Sequence, residues 1–464
     1  MSSRSPRSTE PGASRPQHGP AAAGRLFHVE SLGCAKNQVD SERMIAALEA
    51  AGWRLAAPEQ AQVLIVNTCG FISSAKKESI ETGLELKQRN PGKKVILVGC
   101  LTERYGRALA EELPEIDAIM GNRDPSRIVE LVESGDDGRA GVVTASPPGP
   151  VAAAPPPREY ERTHLLSFPG SAYVKVAEGC ANRCTYCAIP LIRGDLASRA
   201  VADVVKECRG LLDRGARELI LIAQDLGSYG KDLGAPALGR LLEELGRMSG
   251  DFWIRMLYIH PDHFPAEILD LVGSDPRFLP YFDLPFQHAS PRVLRAMGRR
   301  SDPRENVGLV TRIRDRLPVA VIRTTFLLGF PGETDEDFEH LLAFQEEARP
   351  DWMGCFTYSR EEDTAAYSMK GRVPVAIARA RKAELERRQI AITARALDSM
   401  VGRTLDVLIE ERIQGEEMSL GRAYLQAPDV DGLVVVRRAL APGSRVAVCI
   451  DRRNGVDLEG AVRE

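Results

Sequence analysis

The chain has 464 residues, enough for two to four domains each with its own core. Charged residues make up 27% and hydrophobic ones 44%, which excludes neither an enzyme nor a binding module but does exclude a fibrous or low-complexity protein. A net charge of -4 argues against binding dominated by non-specific attraction to nucleic acid, while leaving room for a local basic patch. No apolar run reaches the length of a membrane span. The nine cysteines, odd in number and with no secretory signal before them, suit a reducing cytoplasm and metal or redox work.

In chain order, residues 1–24 read as a disordered tail rich in Ser, Pro, Ala and Arg. From Arg25 short apolar runs alternate with helical patterns. Strands are expected at Leu26–Ser31, Val63–Thr68, Lys94–Gly99 and Ala118–Met120, and helices at Val39–Ala51, Ser73–Gln88, Thr102–Glu112 and Pro125–Glu133. This alternation predicts a parallel α/β sheet domain over 25–137. A Pro/Ala/Gly-rich linker is expected over 138–165, with Ala145–Pro157 at its centre.

Alternation resumes over 166–398, with strands expected at Ala172–Val176, Glu218–Ala223, Trp253–Tyr258, Tyr281–Leu284, Val319–Leu328 and Met353–Tyr358. Six β/α units predict a partial (β/α)6 barrel. A charged helix, Val375–Asp398, closes it. Residues 399–464 change to short β-like runs punctuated by glycine, and predict a small β-barrel.

The chemistry-bearing signal is Cys180, Cys184 and Cys187, spaced C-x3-C-x2-C directly after the first strand of the second block. Structural zinc wants four ligands and a closed shell. Three thiolates on an iron–sulfur cube leave one iron open to a small molecule. The blander reading is a zinc loop completed by a distant His or Cys. Other polar residues follow later strands of the same block: Gln224 and Asp225, His260, Gln287 and His288, and the Gly329–Thr334 turn. Strand C-terminal ends are where α/β barrels gather their chemistry.

A second set lies in the first block. Cys34, Cys69 and Cys100 follow its first three expected long strands, so a parallel sheet would bring them to one edge. Each alone could be a small buried hydrophobe. Cys208, Cys355 and Cys449 lack comparable context and are read as inert.

With Tyr186 before its last cysteine, the loop Glu178–Pro190 resembles that of radical S-adenosylmethionine (SAM) enzymes. The two cysteine sets, the order of blocks and the closing β-barrel together resemble the methylthiotransferase family of that superfamily, from about Arg25 to the C-terminus. Phrases such as Ser31–Glu42, Arg193-Gly-Asp195, Ala223-Gln-Asp225 and Leu284–Ser290 are similar to the branch that modifies a ribosomal protein. The resemblance implies two [4Fe–4S] clusters, one on Cys180, Cys184 and Cys187 that binds SAM, and an auxiliary one on Cys34, Cys69 and Cys100. It implies a C-terminal TRAM domain that docks the substrate, and addition of a methylthio group to the β-carbon of an aspartate in protein twelve of the small ribosomal subunit. SAM contacts are expected among Tyr186, Gln224, Gln287, Arg323 and Glu333. The usual Gly-Gly-Glu run after the second barrel strand is absent, with Ala223-Gln-Asp225 in its place.

The implied partners are the ribosomal protein or subunit and a flavodoxin- or ferredoxin-like electron donor, with the chain a cytoplasmic monomer. From Gly402 onward 11 acidic residues face 9 basic ones, and Glu410, Glu411, Glu416 and Glu417 are candidates for a patch that meets a basic ribosomal protein. Two other functions remain open at this level. One is a tRNA adenosine methylthiotransferase; the other is a two-cluster iron–sulfur carrier without catalysis.

Overall fold

The computed structural model describes residues 24–134, 141–143 and 161–463; the expected tail up to residue 23 and the Ala145–Pro157 linker lie outside the described residues. The first domain is one parallel sheet of β1 (Leu26–Ser31), β2 (Arg54–Leu55), β3 (Val63–Thr68), β4 (Lys94–Gly99), β5 (Ala118–Met120) and β6 (Gly141–Val143), in the order β2-β1-β3-β4-β5-β6. Every residue of β3 is buried, as expected of a central parallel strand covered on both faces. Strand β6 adds an edge within the stretch expected to be linker.

Two helices start earlier than the apolar pattern suggests, at Ala35 and at Cys100. The cause is local. Gly33 (φ 92°) and Gly99 (φ 113°) take positive-φ backbone, so the chain turns from strand to helix in three residues at the first joint and with none between at the second. Cys34 therefore caps one helix and Cys100 opens the other.

The second domain carries β7 (Ser171–Lys175), β8 (Ala177–Glu178), β9 (Ala197–Ser198), β10 (Glu218–Ile222), β11 (Trp253–Met256), β12 (Phe278–Asp283), β13 (Val321–Leu328) and β14 (Trp352–Thr357). Six of these form a parallel sheet ordered β14-β13-β12-β11-β10-β7. Its end strands do not pair with each other, so the barrel is open, as expected. Strands β8 and β9 pair antiparallel and clasp the ends of the Cys180–Cys187 loop segment.

Alternation sorts the sheet's two faces. Leu219, Leu221, Ile254 and Phe282 point out to the covering helices. Tyr173, Ile220, Trp253 and Tyr281 point in, and pack against Val407, Leu408 and Val434 of the C-terminal domain. That domain is a closed barrel, β15 (Thr404–Arg412), β16 (Ser419–Arg422), β17 (Val434–Val436), β18 (Arg445–Asn454) and β19 (Asp457–Val462). It seats on the concave side of the open sheet, reached through helix Val375–Asp398.

Candidate functional site: two cysteine sets across a domain seam

Strands β1, β3 and β4 are adjacent, and their register aligns their ends: Ser31 pairs with Asn67, and Thr68 with Gly99. Cys34, Cys69 and Cys100 leave the sheet side by side. A Cβ on Gly33 would lie 3.2 Å from Cys69 Sγ, which shows how closely the first two loops approach. Asparagines fix this edge. Asn37 Nδ2 donates to Leu32 O (3.0 Å) and Thr68 O (2.9 Å), while Asn67 Nδ2 donates to Asn37 O (2.7 Å) and Ser41 Oγ (2.9 Å).

The second set is held as firmly. Gly179 (φ 65°) brings the backbone so close to the following turn that a Cβ would sit 2.0 Å from Asp195 O. Cys180 N donates to Gly194 O at 3.1 Å. Thr185 is tied to the Ser290–Gly298 segment, its N–H donating to Met297 O (3.0 Å) and its hydroxyl to Ala296 O (2.8 Å). Asn182 Nδ2 donates to Asp225 Oδ2 (2.9 Å), and Asp225 also accepts from Ser228 Oγ and pairs with His263 Nδ1, each at 2.6 Å. These bonds to its charged form hold the Asp225 carboxyl well below the usual range, against the burial that would raise it.

The two sets meet across the domain seam. Cys100 packs against Ala188 and Ile192, the turn just after Cys187. Arg193, whose side chain is 2% exposed, forks into the seam. Its Nη1 donates to Asp40 Oδ2 (3.0 Å) and Glu178 Oε1 (2.8 Å); its Nη2 donates to Asn37 Oδ1 (2.6 Å) and Cys100 Sγ (3.3 Å). Lys175 adds ion pairs to Asp40 and Glu178, and Arg162 one to Glu42. At the far side Glu361 takes Lys76 (2.8 Å) and Arg104 (2.9 Å). Asn37, Asp40 and Glu42, on one short stretch of the first domain, are thus all spent on the seam.

No three His, Cys, Asp or Glu side chains among the described residues converge at single-ion distance, so the fit of a cluster rests on surroundings. Burial pushes the thiols of Cys69 and Cys187 up to about 12 and that of Cys180 up to about 11. Such thiols ionise only when a metal takes them, since coordination deprotonates a thiol outright. Cys34 differs: it is exposed, and Lys36 and Arg193 beside it lower its thiol below the usual value. Each set offers three thiols on neighbouring turns, with a guanidinium near: Arg193 at one, Arg299 at the other. These surroundings fit an anionic thiolate cluster at each set.

The expected SAM contacts divide. Tyr186 is packed with Val293, Met297 and Phe330, its hydroxyl accepting from Arg299 Nε at 3.4 Å. Gln224 donates to Glu178 Oε1 (3.2 Å), while its Oε1 is buried with no partner among the described residues, an unused acceptor beside the cluster loop. Gln287 is half-buried in left-handed backbone (φ 68°), tied to β13 through Thr325 O and Leu327 N. Arg323 instead pairs with Asp431 of the C-terminal barrel (3.0 Å). Glu333 turns back on its own loop, accepting from Gly329 N (2.6 Å) and Arg381 Nη1 (2.6 Å). Both charges are engaged in walls of the site. His260 and His288 cap neighbouring backbone N–H groups, Asp262 (3.2 Å) and Ser290 (2.9 Å).

Sequence reading missed Lys36, Asp40, Lys175, Glu178 and Arg193 as site residues. The signal was present for four: Lys36, Asp40, Glu178 and Arg193 lie in the phrases and the loop that carry the family likeness. The expected acidic patch needs correction. Glu410 is 4% exposed and paired with Arg422 inside the molecule, leaving Glu411, Glu416 and Glu417 at the surface.

An open parallel sheet with a three-cysteine loop at its strand ends defines a radical SAM enzyme, and residues 174–344 match the radical SAM superfamily model. Residues 26–121 match the model described as uncharacterized protein family UPF0004, and 401–462 the TRAM domain. The fold is similar to the radical SAM methyltransferase TsrM of Kitasatospora setae, solved with cobalamin and a [4Fe–4S] cluster, at TM-score 0.53 and 17% identity over 74% of this chain and 77% of that one. The chain is 44% identical to the ribosomal protein uS12 methylthiotransferase RimO of Treponema denticola, over 92% of this chain and 98% of that protein. It is 38% identical to that of Carboxydothermus hydrogenoformans (94% and 98% covered) and 41% to that of Gloeobacter violaceus (94% and 98%). The chain belongs to the RimO family of radical SAM methylthiotransferases.

Proposed function

We propose that this chain adds a methylthio group to the β-carbon of an aspartate in ribosomal protein uS12, with SAM and a [4Fe–4S] cluster on Cys180, Cys184 and Cys187 and a second cluster on Cys34, Cys69 and Cys100. The observation that supports this reading best is the seam itself, where Cys100 packs on the turn that follows Cys187 and Arg193 ties Cys100 to Glu178 at the start of the other cysteine loop. SAM on a reduced cluster supplies a radical able to take hydrogen from an unactivated carbon, chemistry that no side chain here provides.

The chain's own residues position and shield. Gly179, Thr185 and Asn182 hold the SAM-side loop; Asn37, Asn67 and Arg193 hold the sulfur-side loops against it. Tyr186, Gln224 and Gln287 are the residues offered to SAM, with Gln224 Oε1 an acceptor for its amino group. Arg323 and Glu333 position the walls. The buried ion pairs of Asp40 with Lys175 and Arg193 exclude water from the seam. A flavodoxin- or ferredoxin-like donor supplies the electron, and the chain works as a cytoplasmic monomer.

Intact-mass measurement of uS12 from cells with and without the gene tests the reading. The expected result is a gain of one methylthio group only with the gene. Unchanged uS12 together with loss of a methylthio-adenosine nucleoside from digested tRNA would reassign the chain to tRNA. Cys184→Ala should abolish 5′-deoxyadenosine formation from SAM, which a non-catalytic carrier would never show.

A further inference from the structure

Lys36 stands where the two cysteine sets face each other. It is the second residue of helix Ala35–Ala50, next but one to Cys34, and it is 7% exposed. Its ammonium lies 3.1 Å from the centroid of the Tyr258 ring. Tyr258 follows β11 in left-handed backbone (φ 63°), locked by its N–H donating to Asp283 Oδ2 at 3.1 Å. A lysine of the first domain is therefore seated on the mouth of the barrel.

An ammonium carries three N–H donors. Among the described residues Lys36 gives none of them to an oxygen and forms no ion pair, so the aromatic face orients the charge without using its donors. The charged groups around it are Cys34, Arg193, Asp283 and Glu178. Glu178 is taken by Lys175 and Arg193, and Asp40 by the same two. Asp283 accepts from Tyr258 N–H and faces Arg323 at 3.8 Å. The lysine stem is buried while its nitrogen is not enclosed, so the three donors are open to an acceptor that a ligand brings.

We propose that Lys36 receives the side-chain carboxylate of the substrate aspartate, a proposal that rests on the uS12 reading above. The β-carbon is bonded directly to that carboxyl carbon, so anchoring the carboxylate fixes the carbon to be modified between the two cysteine sets. Lys36 is thus a binding and specificity residue. A neutral base such as adenine would gain only a hydrogen bond to an uncharged ring nitrogen, whereas a carboxylate gains a hydrogen bond between opposite charges, about twice as strong.

The test uses the cluster-loaded enzyme under anaerobic conditions without SAM, so that no turnover enters. A fluorescent peptide spanning the modified loop of uS12 is compared by anisotropy with the same peptide carrying Asn in place of the target Asp. Wild type should bind the Asp peptide roughly tenfold to a hundredfold tighter, the span of a charge-assisted hydrogen bond. Lys36→Met should lose that ratio and Lys36→Arg should keep most of it. The ratio is internal to each preparation, so incomplete cluster loading does not disturb it. Equal binding of the two peptides by wild type overturns the proposal, as does an unchanged ratio in Lys36→Met. If Lys36→Met alters only the cluster's spectrum, the lysine serves the cluster and the proposal also fails. Failure of wild type to add methylthio mass to uS12 is a different result, and sinks the functional reading instead.

Discussion

Arg193 shows how much one side chain can decide. Its planar fork reaches two carboxylates, an amide oxygen and a thiol at once, on both sides of the domain seam. A lysine could fill the same space but not the same geometry, because it is a point charge on a flexible stem. Removing the guanidinium leaves Asp40 and Glu178 sharing Lys175 alone, and leaves the Cys100 sulfur with one donor fewer. Arg193→Met and Arg193→Lys should therefore both let the two cysteine sets drift. Misplacement of about 1 Å costs on the order of a hundredfold in rate. Methylthio transfer measured by mass spectrometry should fall by about that factor, while 5′-deoxyadenosine formation by the barrel persists. Equal loss of both products would mean that Arg193 only stabilises the barrel. The six cysteines were legible in the sequence because their spacing and strand-end positions are local facts. Lys36, Asp40 and Arg193 stand inside the same phrases, but their roles were not legible, since their partners lie far away in sequence, across the seam.

At the scale of elements, backbone turns set the site before any side chain does. The strand-to-helix joints at Gly33 and Gly99 are short or absent, which is why helix starts expected from apolar periodicity fall late while the cysteines still lie at strand ends. The β-like runs visible in the last block, Leu405–Glu410, Leu433–Val436 and Arg445–Ile450, leave out β16 and β19 for a related reason. Each carries a glycine where a neighbour's backbone presses in: a Cβ on Gly421 would meet Leu408 O at 2.5 Å, and one on Gly460 would meet Cys449 O at 2.2 Å. Such glycines break the alternation that marks a strand. The same property makes Gly179 testable. In Gly179→Ala the new methyl would overlap Asp195 O, and the loop must shift. Iron content should fall by about half, the auxiliary set keeping its cube and the barrel set losing it. Gly234 also has positive φ (108°) but nothing within 4 Å of a Cβ, so Gly234→Ala is the control and should retain its iron. Equal iron in both variants would show that the turn at Gly179 does not shape the cluster loop.

Across the whole molecule, the open sheet is closed by its neighbours. Its inward face holds a fully buried four-member ionic group, Glu218, Arg255, Arg422 and Glu410, shared with the C-terminal barrel. Glu218 Oε1 takes Arg255 Nε and Oε2 takes Arg422 Nη2, each at 2.6 Å, and Ser171 Oγ donates to it at 3.0 Å. Arg255 also donates to the backbone oxygens of Ala423 (3.2 Å) and Tyr424 (3.0 Å), so the group pins one domain to the other. These partners hold the Glu218 carboxyl down to about 2, against the burial that would raise it. Its stabilising share is complete above the unfolded value, about 4.5, and is lost as pH falls through about 2. Breaking such a group from one side strands a buried charge, at a cost of about 3–5 kcal/mol. Glu218→Gln and Arg422→Met should each raise hydrogen exchange in β10 and β15–β16 by the equivalent of that amount, with the first domain's sheet unaffected. The double variant should cost less than the sum of the two, since each single change already leaves the other's partner unpaired. Additive losses would mean that Glu218 and Arg422 stabilise their own domains separately. The C-terminal barrel would then dock on apolar contacts such as Tyr281 against Val407 and Leu408.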